Sequence, residues 1–263
     1  DNGTASGIIL QMADLAGTNT FTVTNTGFLT NPGGTSPYNV YKTNTDDSFT
    51  FDQAYGEFAG PTYEFDPGNI VNWTNLVIVS RWTGAVSDNW ATAGNWTLGV
   101  PTASDDAIIP DVSRDPVVRN RQVARNVTIN TNGFLTISDG DTLSLGGSIT
   151  NSGTLTITNA GMLRMGVNFT NTNGVFNANS STVAFSGSGS QTITTGGTAV
   201  GKRFYNLLVN KSAGSAVLVG NIDINGSFID SSGTFDVGAS NYSMNVAGNW
   251  INLGTFNARN GTT

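Results

Sequence analysis

Apolar and polar residues alternate along this chain in tracts of only three to five positions, each bounded by Gly, Asn, Ser or Asp. That is the period-two signature of short strands closed by turn formers, and no stretch carries the 3.6-residue stripe of an amphipathic helix. The tracts recur as a sentence. Leu143-Ser-Leu145 leads through Gly147 to Ile149-Thr-Asn151 and then Gly153-Thr-Leu155-Thr-Ile157. Leu163-Arg-Met165 leads to Phe169-Thr-Asn171 and Gly174-Val-Phe176. Ile222-Asp-Ile224 leads to Phe228-Ile-Asp230 and Gly233-Thr-Phe235, and Met244-Asn-Val246 to Trp250-Ile-Asn252 and Gly254-Thr-Phe256.

Three strands and their turns fill about 20–22 residues, the size of one coil of a parallel β-helix. The fold class predicted is therefore all-β, a parallel β-helix or β-solenoid, with right-handed coiling favoured by the crossover rule. Leu135, Leu155 and Val175 are expected in one inward column, Leu143, Leu163 and Val183 in a second, and Ile149 and Phe169 in a third, with Thr136 and Thr156 outward. Two further columns form the corners. Gly153, Gly174, Gly233 and Gly254 precede the third strand, where a positive φ is expected. Asn151, Asn171, Asp230 and Asn252 stand at the corner before, as turn-capping side chains.

Three regions follow. Residues 1–81 hold strand-like tracts with a blurred period (Ile8–Leu10, Phe21–Val23, Phe28–Thr30, Tyr38–Val40, Phe49–Phe51), read as β-helix-like or as the end of a preceding β segment. Within them, residues 61–73 read as a loop or capping connection. Residues 82–125 carry Trp82, Trp90 and Trp96, too dense for a repeating coil, and read as a cap. Residues 126–263 are the repeats, and residues 82–263 together would hold about nine coils.

Composition narrows the chemistry. The 263 residues contain no Cys and no His, and only 11% are charged, with a net charge of −7. Disulfide scaffolds, thiol and imidazole catalysis, and most transition-metal sites are excluded. Up to Asp111 two basic residues face twelve acidic ones, and from Val112 onward nine face six. So few cations offer no footprint for nucleic acid, and no apolar run approaches the ~20 residues of a transmembrane helix. Without an initiating Met or signal peptide, the chain reads as a piece of a larger exported protein. The pattern stops at Asn260-Gly-Thr-Thr263 without a polar cap, so neighbouring β-helix segments or subunits are the expected end-to-end partners.

Candidate chemistry is sparse. Calcium is the one metal the composition permits, with Asp105-Asp106 and Asp139-Gly-Asp141 as candidate clusters, although neither has a known calcium-loop spacing. No other cofactor is expected. Trp82, Trp90 and Trp96 either seal the first coil or form a platform for sugar rings. A glycosidase would need two facing carboxylates. Asp223 and Asp236 lie in strands without a basic neighbour in sequence, and the expectation is that the protein is not an enzyme. Arg114, Arg119, Arg121 and Arg125 form a basic cluster, read as the polar flank of the cap. Asn126, Asn168 and Asn225 begin Asn-x-Ser/Thr sequons.

The Trp82–Pro110 string, the Gly-Thr-Leu/Phe coils and Phe204-Tyr-Asn-Leu-Leu-Val-Asn-Lys211 resemble long secreted surface proteins of Bacteroidota. The resemblance implies export, often by the type IX secretion route, a cell-surface or extracellular location, and a structural or adhesive role as adhesin, stalk or filament part. Surface glycans or other cell-surface ligands would be its partners. Asp141-Thr142-Leu143 resembles the short O-glycosylation motif of such proteins, with Thr142 as acceptor. The alternatives are a carbohydrate-binding module using the three tryptophans and, third, a polysaccharide lyase or hydrolase.

Overall fold

A computed structural model describes the backbone continuously over residues 77–260, with eight strand segments before it. The chain divides into two units, Asp1–Ser80 and Arg81–Thr263. In the first, strands pair in parallel with the third strand along the chain. Leu10–Met12 pairs with Val40–Lys42 and that with Glu64–Phe65; Thr20–Thr24 pairs with Ser48–Asp52 and that with Val71–Thr74. This is coiling, and it places strands inside the 61–73 stretch read as a loop. The blurred period has a plain cause: the partners Leu10 and Val40 are 30 residues apart, whereas Phe49 and Val71 are 22 apart. Of the strand tracts read from sequence, Ile8, Ile9, Thr30, Tyr38 and Asn39 lie outside the described residues.

The second unit is a β-solenoid of about seven rungs, not nine, because residues 82–105 are spent on the cap and one rung carries a long loop. Rung 1 consists of Arg121–Ala124, Val127–Ile129 and Phe134–Ile137, one strand on each of three faces. Rung 2 is Thr142–Leu145, Ile149–Asn151 and Thr154–Ile157, and rung 3 is Met162–Met165, Phe169–Thr170 and Val175–Asn177. Rung 4 has Thr182–Gly187 and Gln191–Thr194, and a loop reaching Phe204 takes its third face. In rungs 5 and 6 a single long strand bends round the first two faces, Asn206–Leu218 and Phe228–Asp236, before Ile222–Ile224 and Met244–Val246. Rung 7 is Trp250–Asn252 and Thr255–Asn257. All of these ladders are parallel, so each strand's backbone groups are satisfied only by the rungs on either side.

The inward columns follow the predicted alternation with one correction. Leu143, Leu163 and Val183 are in register and fully buried, as are Ile149 and Phe169. On the third face, however, Leu135 and Leu155 stack on Phe176, and Val175 is 44% exposed. The extra residue in Asn171-Thr-Asn-Gly174 moves the strand by one position, which exchanges its faces. Phe169, Phe176 and Phe204 then fill the bore, Phe176 edge-to-face with the other two and Phe169 tilted against Phe204, with ring centroids 5.2–5.7 Å apart.

The glycine corners are set mainly by space. Of the four predicted, Gly233 alone has a positive φ (+92°). A Cβ on Gly153 would lie 2.2 Å from Gly133 O, and one on Gly174 would lie 2.5 Å from Asn151 Nδ2, because rungs stack backbone against backbone there. Left-handed conformation is supplied at the corner between third and first faces by Asn120, Gly140, Asn159 and Asn179. Gly153→Ala is therefore expected to destabilise the solenoid by more than ~3 kcal/mol, Gly140→Ala by ~1 kcal/mol, and Gly140→Asn by almost nothing, as read by urea denaturation.

A second finding is a slip of the sequence repeat against the faces. Leu143-Ser-Leu145 and Leu163-Arg-Met165 lie on the first face, whereas the matching Ile222-Asp-Ile224 and Met244-Asn-Val246 lie on the third. The corner hydrogen bonds slip with it. Asn126 Oδ1 accepts from Ser148 N (2.7 Å), Ser148 Oγ from Asn168 N (3.0 Å) and Asn168 Oδ1 from Thr192 N (2.8 Å), along the corner before the second face. In the later rungs Asn206 Oδ1 accepts from Ser227 N (2.9 Å) and Ser227 Oγ from Asn249 N (3.2 Å), along the corner before the first. The slip lies between Gln191–Thr194 and Asn206, where the loop reaching Phe204 takes the third face of rung 4 in place of a regular strand.

Candidate functional site

Three places carry candidate chemistry: the tryptophan segment, the acidic pairs and the arginine cluster. In the tryptophan segment Trp82 and Trp90 are fully buried and Trp96 is 5% exposed. Trp96 packs edge-on against both, at 5.1 and 4.6 Å. The ring faces that a sugar would need are covered by protein, so these residues are not a glycan platform; they pack beside Asp106–Ile109 and Val117–Val118, the strands on which rung 1 stacks, with Trp82 N donating to Ile108 O and Trp90 N to Val117 O. Trp82 Nε1 donates to Arg114 O and Trp96 Nε1 to Trp90 O, both at 2.7 Å. Asn89 bridges Val117, extending the third face into the cap by one strand position.

The cap is knitted by a residue that sequence reading passed over. Asn95 is fully buried. Its Oδ1 accepts from Val86 N and Ser87 N at 2.8 Å, and its Nδ2 donates to Asn89 O (2.9 Å) and Ser87 Oγ (3.1 Å). Every donor and acceptor of the amide is engaged. Trp90→Ala and Trp96→Ala are expected to lower stability by ~3–5 kcal/mol, and Asn95→Ala by ~2–4 kcal/mol through its stranded backbone partners, measured by chemical denaturation.

The acidic pairs do not converge. Asp105 Oδ2 accepts from Thr102 N and Oγ1 as a turn cap. Its neighbour Asp106 turns inward, is 7% exposed, and forms a two-pronged pair with Arg125 at 2.8 and 2.9 Å. Asp139 accepts from Ala160 N and Asn159 Nδ2 one rung on. Among the described residues no three acidic side chains gather where a cation could sit. Thr142 is half-buried at the start of its strand, between Arg121 and Met162 in register.

The arginines serve the cap and its first rungs. Arg114 donates to Gly84 O, and Arg119 grips Asp88 through both nitrogens, holding that carboxyl below its usual range. Asp223 and Asp236 also have partners, contrary to their isolation in sequence: Arg203 lies 3.3 Å from the first and Arg259 2.7 Å from the second. Like Asp106 with Arg125, these pairs join residues about one coil apart, and opposite charges at that spacing were the signal available in the sequence.

Sequence reading also missed the loop Thr195–Arg203, which covers the third face of rung 4. It is firmly tied. Lys202 Nζ donates to Asn171 O, Thr172 O and Gly174 O at 2.7–2.9 Å, and Arg203 Nε to Thr198 O at 2.6 Å. Val200 stands out at its tip, 89% exposed. Beside it a groove of about 260 Å³ has Phe176 and Phe204 in its floor and Asn177, Asn179, Arg203 and Asn225 among its walls.

These features define the second unit as a capped β-solenoid repeat segment. Residues 81–188 match a family described as a domain of unknown function (DUF8693). The matched stretch begins with the second unit and ends just after the first strand of rung 4, so it contains the cap and the rungs that stand on it. No curated protein and no solved structure matches the chain.

Proposed function

We propose that this chain is a non-enzymatic, extracellular structural or adhesive segment of a larger secreted protein, a solenoid stalk or surface-filament part. The observation that carries the reading is the stack itself: about seven rungs joined by continuous parallel ladders, with one apolar bore running from the tryptophan cap to rung 7. The ion pairs of Asp106, Asp223 and Asp236 brace successive rungs and gather no facing carboxylates of the kind hydrolysis needs. Export and surface location rest on the likeness of the Trp82–Pro110 string and the coils to secreted surface proteins.

End-to-end packing belongs to the same reading. Trp250, Ile251 and Leu253 are 41–76% exposed on rung 7, and a cavity of about 650 Å³ there is lined by Met244, Val246, Trp250 and Phe256. A neighbouring coil or subunit would cover this apolar surface. For the adhesive part, the groove beside Val200 offers amides, one guanidinium and an apolar floor, a set suited to a hydroxyl-rich glycan.

Antibody against the chain is expected to label intact cells of its producer, and labelling only after permeabilisation would contradict an extracellular role. On a glycan array, binding by the full chain is expected to fall at least tenfold in a Val200→Asp, Asn225→Ala variant with unchanged melting. Equal binding by the variant, or none by the parent, removes the adhesive part.

A further inference from the structure

Among the described residues, Asp230 is the one carboxylate with both oxygens buried and unpartnered. It is fully buried, and neither carboxylate oxygen has a partner in hydrogen-bond geometry. Its motif position supplies a reference within the same chain. Phe228-Ile-Asp230 matches Ile149-Thr-Asn151, and each stands against a glycine one rung on. A Cβ on Gly174 would meet Asn151 Nδ2 at 2.5 Å, and one on Gly254 would meet Asp230 Oδ1 at 2.6 Å. The amide nitrogen of the one and a carboxylate oxygen of the other thus fill the same place.

At Asn151 that nitrogen is a donor. It gives hydrogen bonds to Asn171 Oδ1 (2.7 Å) and Val175 O (2.9 Å), while Oδ1 accepts from Gly153 N (3.1 Å). Asn252 and Thr255 hold the corresponding positions in rung 7. An ionised carboxylate has no proton to offer them, and a protonated one has. We propose that Asp230 is a proton-operated latch: protonated, it supplies the donor that Asn151 supplies and closes rung 7 onto rung 6; ionised, it loosens that rung.

The charges around it leave the proton as the partner. Lys211, on the strand beneath, is 2% exposed but sends Nζ to Gln191 Oε1 and Gly189 O in rung 4. Asp236, on the same strand as Asp230, is held by Arg259, and Asp223 on the preceding strand by Arg203. Trp250–Asn252 and Met244–Val246 carry no ionisable group. Burial pushes the Asp230 pKa up to about 6, and the Ser232 N–H pulls weakly the other way. For an acid raised in this way, the stabilisation is complete below its ordinary pKa near 4 and is lost as pH rises to about 6. Asp236 is shifted downward, so its loss of stability falls at lower pH, outside that window. The latch stands apart from the end-to-end reading, but if that reading holds, the receiving surface is firm in acid and loose at neutral pH.

The test is amide hydrogen exchange of the full chain between pH 4 and 7.5, corrected for the chemical exchange rate, with rungs 2 and 3 as internal reference. The open population of residues 244–257 is expected to rise by about a hundredfold between pH 4 and 6.5 and then level off. Asp230→Asn is expected to hold the acid-state protection throughout, and Asn151→Asp to transfer the pH dependence to rung 3. A flat profile in the parent, the same slope in Asp230→Asn, or a folded Asn151→Asp variant with a flat rung 3 would overturn the proposal.

Discussion

Everything in the second unit depends on register. A strand of three or four residues in a parallel solenoid cannot satisfy its own backbone, and its few inward side chains cannot bury themselves. Both deficits are met only when the next rung repeats the same positions directly above. The glycines at 153 and 174 show how strictly this holds, since the rungs approach so closely that a methyl group would overlap a carbonyl oxygen or an amide nitrogen. Side chains at the corners extend the rule to polar groups, as Asn126, Ser148 and Asn168 each accept a backbone N–H from the rung above.

The same constraint explains the tolerance of the fold. Because a rung asks only for in-register partners, the repeat can slip by one face, as it does between Thr194 and Asn206, provided every column finds a replacement. The bend of the long strand has a local chemical price: Lys211 and Gln191 are buried in its corner, and must satisfy each other and nearby carbonyls. Ahead of rung 1 the stack is reduced to two strands, Asp106–Ile109 on the second face and Val117–Val118 on the third, and the repeat pattern is not there to continue it. Three packed indoles and the saturated amide of Asn95 take its place.

Much of this was legible in the sequence, because apolar alternation and the Gly-Thr-Leu/Phe sentence directly encode strands and corners. The columns of Leu143 and Ile149 followed from spacing alone. Val175 did not, since one added residue at a corner reverses inside and outside and leaves the local pattern intact. The slip was hidden for a related reason: Val183 and Ile222 are 39 residues apart, close to two repeats, but the intervening chain passes fewer faces than two full turns. The groove was invisible because its members meet only after coiling, whereas the ion pairs were legible only as opposite charges one coil apart. Asp230 was grouped correctly with Asn151, yet the difference between an amide and an acid matters only once burial is known.

The central claim, that register rather than sequence phase decides the stack, is most directly tested by cysteine cross-linking in this cysteine-free chain. Leu208 and Ile229 face each other on the first face of rungs 5 and 6, beyond the slip, and Thr128 and Thr150 do so on the second face of rungs 1 and 2, before it. Parallel partners at this spacing are within reach of a disulfide. With Leu208→Cys and Ile229→Cys together, mild oxidation should give an intramolecular disulfide as readily as with Thr128→Cys and Thr150→Cys. A chain that links 128 to 150 but not 208 to 229 would contradict the slipped stack.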